Sequence, residues 1–287
     1  MLNLVRMRIS ELLIQASAKL HGCGVSAASL EAELIMLHVL GCSRAKLYLS
    51  SDDNLTPDQQ EKFSNLIAHR CRRIPLQHLT GQREFWSLDF IVGPDVLIPR
   101  PETEFLLECV LQSVHRTACA NALDLCTGSG VIATILALEL ETRVLATDLS
   151  LPALAVARQN VAHHECTDKI SLLCCDLFSA IAPKKQFDLI VSNPPYVGLN
   201  EQDQLEPEVK DHEPHLALFS GEDGMDSIIR ILTSAPQYLR SGGSLFLEIG
   251  AGQSESVLSL ASHIGHYRKT SITQDWSGKD RVFHGRL

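Results

Sequence analysis

The chain has 287 residues, 45% of them hydrophobic, and a formal charge of −9. That length and apolar content suffice for one large α/β domain and a smaller one, each with a buried core. The acidic balance argues against a protein whose main task is gripping nucleic acid, because neutralising phosphates demands an excess of Lys and Arg. No apolar run approaches the roughly 18 residues that span a bilayer, and the N-terminus lacks the uninterrupted apolar core of a signal peptide; the expectation is a soluble, cytoplasmic protein with no membrane partner.

From Met7 to Arg73 apolar residues such as Leu12, Leu13, Ala16 and Leu20 recur at three- and four-residue spacing, the signature of amphipathic helices. Ala27 to Leu40 and Pro57 to Arg72 continue the pattern, with Thr56 as N-cap and Pro57 as first helical residue. Residues 1–80 therefore read as a small helical domain. They hold nine Lys/Arg against seven Asp/Glu, about +2, which leaves about −11 on the remainder. Over residues 81–101 the composition turns aromatic and β-branched (Phe85, Trp86, Phe90, Ile91, Val92) with Gly93-Pro94 and Pro99 as breaks, which predicts a β-hairpin connector.

Residues 102–287 alternate apolar strands and helices. After a helix over about Thr103 to Val114, strands are expected near Ala122–Leu125, Val144–Thr147, Ile170–Cys174, Leu189–Val191 and Leu245–Glu248, with helices starting near Val131, Leu151 and Gly224. Such alternation predicts an α/β fold, a parallel sheet covered on both faces with ligands at the carboxyl ends of its strands. Tyr267–Ile272 and Arg281–Gly285 are expected to pair antiparallel at the sheet edge. Nine cysteines without CxxC spacing, two of them adjacent (Cys174, Cys175), read as reduced and mostly buried. His212 and His215 in DHEPH lack a second ligand cluster and read as a solvated loop, so no metal is implied.

The first strand runs into DLCTGSGVIA, Asp124 to Ala133, where Gly128 and Gly130 permit a tight turn and close approach of a ligand to backbone N–H groups. GSGVIA also satisfies the dinucleotide fingerprint, so a nicotinamide enzyme fits at this point. Asp148 ends the second strand, where a carboxylate accepts from both hydroxyls of a ribose; its plain structural role would be to cap the helix near Leu151. Asp176, after the third strand, is placed to accept from an adenine amino group, with Leu177 and Phe178 offering apolar faces to the ring. Asp176 favours S-adenosylmethionine over a dinucleotide, although a surface turn would also accommodate it.

NPPY, Asn193 to Tyr196, directly follows the apolar run FDLIVS. Two prolines fix φ and remove two donors, leaving carbonyls of restricted orientation at the strand end. The Asn193 side-chain oxygen and the Pro194 carbonyl form an acceptor pair for the two N–H bonds of a planar NH₂ group, with Tyr196 stacked on its plane. An amide or aromatic amine nitrogen is a poor nucleophile, so holding both hydrogens and aiming the lone pair supplies most of the catalysis.

With these residues in view, the sequence resembles the HemK/PrmC family, the release factor glutamine methyltransferases. The resemblance extends over essentially the whole chain through QHLTGQREFWSLDF, LIPRPETE, DLCTGSGVIA, NPPY, Glu213-Pro214 with Ala217-Leu218, GEDG and LEIG. It implies a Rossmann-like, seven-stranded class I methyltransferase domain, and methyl transfer from S-adenosylmethionine to the glutamine side-chain amide in the GGQ loop of peptide chain release factors. It implies no metal, no direct nucleic-acid partner, and release-factor recognition by the helical domain. Carried onto this chain, the cofactor turn is Cys126, Thr127, Gly128, Ser129 and Gly130. Asp148 is the ribose carboxylate, and Asp176 and Leu177 lie beside the adenine. Asn193, Pro194, Pro195 and Tyr196 form the substrate platform, with Asn193 and Pro194 catalytic and Asn193 also touching the cofactor. Phe85 and Arg100 are offered as walls of the cofactor pocket. The chain departs from the family at Cys126, where relatives commonly have glycine, and at Leu177, where an aromatic is common. The alternatives are a nucleic-acid methyltransferase acting on adenine N6 or guanine N2, a nicotinamide oxidoreductase, and a non-enzymatic module that binds a release factor.

Overall fold

A computed structural model describes residues 7–114 and 119–287. The first six residues of the expected helical domain, and residues 115–118 just past the expected helix, lie outside the described residues. The chain separates into two compact units, one of residues 1–81 with 206–212, the other of residues 82–205 with 213–287.

The first unit is helical: α1 (Ile9–Gly22), α2 (Ala28–Leu40), α3 (Arg44–Leu49), α4 (Pro57–Cys71) and α5 (Leu76–Thr80). Its core gathers Leu20, Ile35, Met36, Leu47, Phe63 and Ile67. Thr56 caps α4 as anticipated, its hydroxyl accepting from the Gln59 N–H while the Gln59 side chain accepts from the Thr56 N–H. The segment Glu206–His212 belongs to this unit. The Glu208 carboxylate accepts from Arg70 Nη2 and from Arg73 Nε at 2.7 Å each, and Arg70 also bonds Glu31. The Arg70 side chain is only 6% exposed, so these carboxylates are what makes its burial tolerable.

The second unit opens with the expected hairpin, β1 (Gln82–Phe85) and β2 (Leu88–Ile91). Its two-residue turn, Trp86 and Ser87, has φ of +56° and +58°, the left-handed pair that a tight hairpin requires and glycine or asparagine usually fills. The Trp86 N–H donates to Glu104 at 2.7 Å and its ring N–H to Glu139 at 2.9 Å. The hairpin is also stapled by Asn160, whose carboxamide bonds both the N–H and the carbonyl of Ile91 and donates to the Ser129 carbonyl in the glycine-rich turn.

Then follow α6 (Pro101–Ser113), β3 (Asn121–Leu125), α7 (Val131–Glu139), β4 (Arg143–Asp148), α8 (Leu151–His163), β5 (Ile170–Cys174) and β6 (Phe187–Ser192). After α9 (Pro207–His212), which belongs to the first unit, the second continues with α10 (His215–Leu218), α11 (Asp226–Ser234), β7 (Leu239–Glu248), α12 (Ser254–Ile264), β8 (Lys269–Gln274) and β9 (Asp280–Arg286). The seven strands order as β5-β4-β3-β6-β7-β9-β8, parallel from β5 to β7 and antiparallel over the last two pairings. This is a seven-stranded Rossmann-like sheet with the antiparallel edge expected from the sequence. β7 begins six residues before the expected strand because Arg240 to Gly242, exposed and ending in glycine, look like a turn in sequence yet continue the strand. No expectation covered α12, which buries only Val257 and Ala261 and so shows a sparse apolar stripe. The chain order runs outward from β3 through β4 to β5 on one side and from β6 on the other, so the crevice between the carboxyl ends of β3 and β6 is the topological switch point, where such sheets bind ligands.

Candidate active site

Leu125 at the end of β3 is in register with Ser192 at the end of β6, and the Ser192 hydroxyl donates to the Leu125 carbonyl at 2.7 Å. The next residues are Cys126 on one strand and Asn193 on the other, so the glycine-rich turn and the NPPY segment start side by side. They border a cavity of about 250 Å³ whose lining includes Cys126, Thr127, Gly128, Ser129, Asp148, Asp176, Leu177, Asn193 and Pro195.

The turn is shaped by Asp124, fully buried beneath it. One oxygen of its carboxyl accepts from the Thr127 hydroxyl and the Ala133 N–H, tying the start of the turn to the first turn of α7. Burial pushes its pKa up to about 7 against those two hydrogen bonds. Gly128 has φ +54° and open space where a side chain would stand, which leaves its backbone approachable from the cavity. Gly130 does not line the cavity; at φ +83° its Cα hydrogen faces Ala157, whose Cβ would lie 3.2 Å from an added Cβ. Its role is the close packing of α7 on α8. Cys126 adopts φ +59° and Leu177 φ +49°, so at both departures from the family pattern an L-residue sits in the left-handed region, at a cost of roughly 1–2 kcal/mol each. Burial pushes the Cys126 thiol far above its ordinary pKa, with the nearby Asp148 charge adding to the effect.

Asp148 accepts from the Gly128 N–H at 2.9 Å and the Ser150 N–H at 2.8 Å, one on each oxygen. Each oxygen keeps a second lone pair. Burial raises its pKa, and the two N–H donors oppose that. The helix cap expected of Asp148 belongs instead to Ser150, whose hydroxyl accepts from the Ala153 N–H at 3.2 Å. Asp176 stands at the cavity with one oxygen held by Arg230 of α11 at 2.8 Å. Leu177 lines the cavity, whereas Phe178 stacks on Tyr238 at 4.4 Å between ring centres and is not on the wall.

Pro194 and Tyr196 likewise are not on the wall of this cavity. The Tyr196 hydroxyl donates to Glu248 Oε1 at 3.0 Å, and the Asn193 amide nitrogen donates to the Thr103 hydroxyl at 2.9 Å. Phe85 and Arg100 are not pocket walls either. Phe85 packs edge-on against Phe90 in the core, and Arg100 pairs with the buried Glu213. Residues that sequence reasoning did not anticipate line the cavity, among them Leu97, Pro99 and Thr103 of LIPRPETE, the preceding Val96, Leu216 and Arg230. Arg230 lies outside the motifs, so no sequence signal marked it.

Among the described residues no group of three His, Cys, Asp or Glu is arranged to hold a metal ion, and no helix is long and apolar enough to cross a membrane. The nine cysteines are free; Cys119, Cys166 and Cys175 are buried and Cys174 is exposed, so burial is less general than their number suggested. The His212 Nε2–H donates to the Arg72 carbonyl at 3.2 Å, and the His215 ring lies edge-on to Phe219.

The chain matches two protein families along its length, the PrmC N-terminal domain over residues 11–81 and the methyltransferase small domain over residues 101–209. It is 40% identical to the release factor glutamine methyltransferase of Koribacter versatilis, over 98% of this chain and 99% of that one. It is 40% identical to the protein of the same name from Geobacter sulfurreducens, over 92% and 91%. Among solved structures, a methyltransferase from Pyrococcus furiosus superposes with a TM-score of 0.54 at 17% identity, over 80% of this chain and 98% of that one, a likeness of fold.

Proposed function

The chain belongs to the release factor glutamine methyltransferases, and on that premise we propose that it transfers a methyl group from S-adenosylmethionine to the side-chain amide nitrogen of the glutamine in the GGQ loop of peptide chain release factors. The observation that carries this reading is the adjacency of Cys126 and Asn193 just beyond the ends of two paired strands, which suits a cofactor turn beside an amide-binding platform.

The residues present fit the cofactor. Asp148 offers two acceptor oxygens for a ribose, Asp176 keeps an oxygen free of Arg230, and Val96, Leu97 and Leu177 supply apolar wall for a purine ring. When bound, S-adenosylmethionine supplies an electrophilic sulfonium methyl. The protein's part is to hold the nucleophile. Asn193 Oδ1 and the Pro194 carbonyl each accept one N–H of the substrate amide, drawing electron density toward nitrogen and orienting its lone pair. Tyr196, held by Glu248, supports the platform from behind, and Pro195 closes the wall next to Asn193. The methylated nitrogen is acidic, so its remaining extra proton leaves to an acceptor of the platform or to water without a dedicated base. The two cofactor-side departures, Cys126 and Leu177, alter the local fit of the cofactor and leave the platform untouched.

The test is mass spectrometry of an unmethylated release factor incubated with the protein and S-adenosylmethionine. One methyl, about 14 Da, on the GGQ glutamine supports the assignment of substrate and reaction together. Methyl incorporation into DNA or RNA, with none into the release factor, overturns it.

A further inference from the structure

Thr103 of the LIPRPETE motif and Glu248 of LEIG meet behind the platform. Thr103 Oγ1 donates to Glu248 Oε2 at 2.8 Å and stands 2.9 Å from the Asn193 side-chain nitrogen, while the Tyr196 hydroxyl donates to the other Glu248 oxygen at 3.0 Å. Glu248 is 0% and Thr103 3% exposed.

Hydrogen-bond arithmetic gives this chain a direction. A carboxylate only accepts, so the single hydroxyl hydrogen of Thr103 is committed to Glu248 and its oxygen has only lone pairs left for Asn193. The Asn193 atom facing Thr103 must then be the NH₂ group, which turns Oδ1 the other way. A protonated Glu248 reverses the polarity. It donates to Thr103, whose hydrogen is released toward Asn193; the carboxamide turns over and meets the two N–H bonds of the substrate amide with donors of its own. We propose that Glu248, acting through Thr103, is a positioning residue that sets the orientation of the Asn193 carboxamide, and that its ionised form is the one that presents Oδ1 to the substrate. This rests on the platform reading above.

The groups facing Glu248 are Thr103 and Glu102 from α6, Tyr196 from the platform, and Arg281 from β9. Arg281 is itself engaged with Asp275 at 3.3 Å and the Ile249 carbonyl at 3.2 Å, so it supports Glu248 at a distance. Burial raises the Glu248 pKa to about 7, assisted by Glu102 and opposed by the Thr103 and Tyr196 hydrogen bonds and the Arg281 charge. The switch between the two polarities therefore falls near neutral pH.

The experiment compares the full-length wild type with Glu248→Gln, Thr103→Val and Thr103→Ser, measuring kcat and KM for an unmethylated release factor from pH 5.5 to 9, and cofactor affinity by calorimetry. The wild-type kcat is expected to rise with pH through about 7. Glu248→Gln, which does not titrate, gives a pH-independent kcat below the wild-type alkaline plateau. Thr103→Val cuts kcat about tenfold with cofactor affinity little changed, and Thr103→Ser restores it. The proposal is overturned if Glu248→Gln keeps the wild-type inflection, or if Thr103→Val turns over like the wild type; should the glutamine variant fail to fold, the valine and serine pair decides alone. A wild type that is active with a flat profile removes this inference and leaves the function standing, whereas a wild type that never methylates a release factor removes both.

Discussion

The side-chain nitrogen of Asn193 lies 2.9 Å from the hydroxyl of Thr103, a residue ninety positions earlier in the chain. The end of β6 is thereby fixed by the first turn of α6, and the acceptor oxygen of Asn193 is a structured group rather than a freely rotating one. Asn193→Ala removes that acceptor. Turnover should fall by about 10²–10³-fold, the usual loss when one preorganised hydrogen-bond partner is removed from a reacting group. Circular dichroism and S-adenosylhomocysteine titration should show a folded, cofactor-competent protein; retained turnover sinks the platform mechanism.

Asp148 spends one lone pair of each oxygen on the backbone of its own turn. Asp148→Ala frees the Gly128 and Ser150 N–H groups as well as removing the acceptor oxygens proposed for the ribose. Cofactor affinity should drop by roughly ten- to a hundredfold, the range for losing a hydrogen bond to a charged group, and isothermal titration with S-adenosylhomocysteine reads this directly. Unchanged affinity places the ribose elsewhere.

The buried Asp124 ties pH to stability. Its pKa is raised from 3.8 to about 7 by the fold, so folding favours its neutral form. Its stabilising contribution is full below about pH 4 and disappears as pH rises through about 7. Asp124→Asn removes this titration. The difference in melting temperature between variant and wild type should shift in favour of the variant as pH rises from 4 to 7 and level off above 8. A difference independent of pH shows that Asp124 keeps an ordinary carboxylate pKa.

In the helical unit, Arg70 is buried between Glu31 and Glu208. Arg70→Ala leaves two carboxylates, 16% and 18% exposed, without their shared cation. Breaking a buried pair in this way costs about 3–5 kcal/mol, which urea unfolding monitored by circular dichroism should resolve. A loss below about 1 kcal/mol marks the cluster as solvent-relaxed.

What was readable in the sequence follows from how local each signal is. α7, α8 and β5 begin where the apolar runs and their bounding residues place them, at Val131, Leu151 and Ile170. Asp148 and Asn193 were singled out because the first ends and the second directly follows a parallel strand, whose carboxyl end is where ligands bind. The turn at Trp86-Ser87 carries no glycine, and its left-handed geometry is imposed by the strands and by Glu104, so nothing in those two letters announces it. Arg230 comes from a helix 54 positions beyond Asp176, where the local pattern describes only a surface residue. Thr103 and Glu248 were visible as members of motifs, but their meeting is a property of α6 lying over β7, which no short-range spacing encodes.

The excursion of Glu206–His212 into the helical unit has a consequence for synthesis. On the ribosome the first eighty-one residues emerge well before Glu206 and Glu208, the carboxylates that the Arg73 guanidinium bonds. Until the strands through β6 have also been made, Arg73 lacks both of these carboxylates. Vectorial folding of this chain is not a matter of one half finishing before the other starts; the last piece of the first unit is delivered from within the second, and a gene cut at the boundary would express a fragment permanently short of that piece.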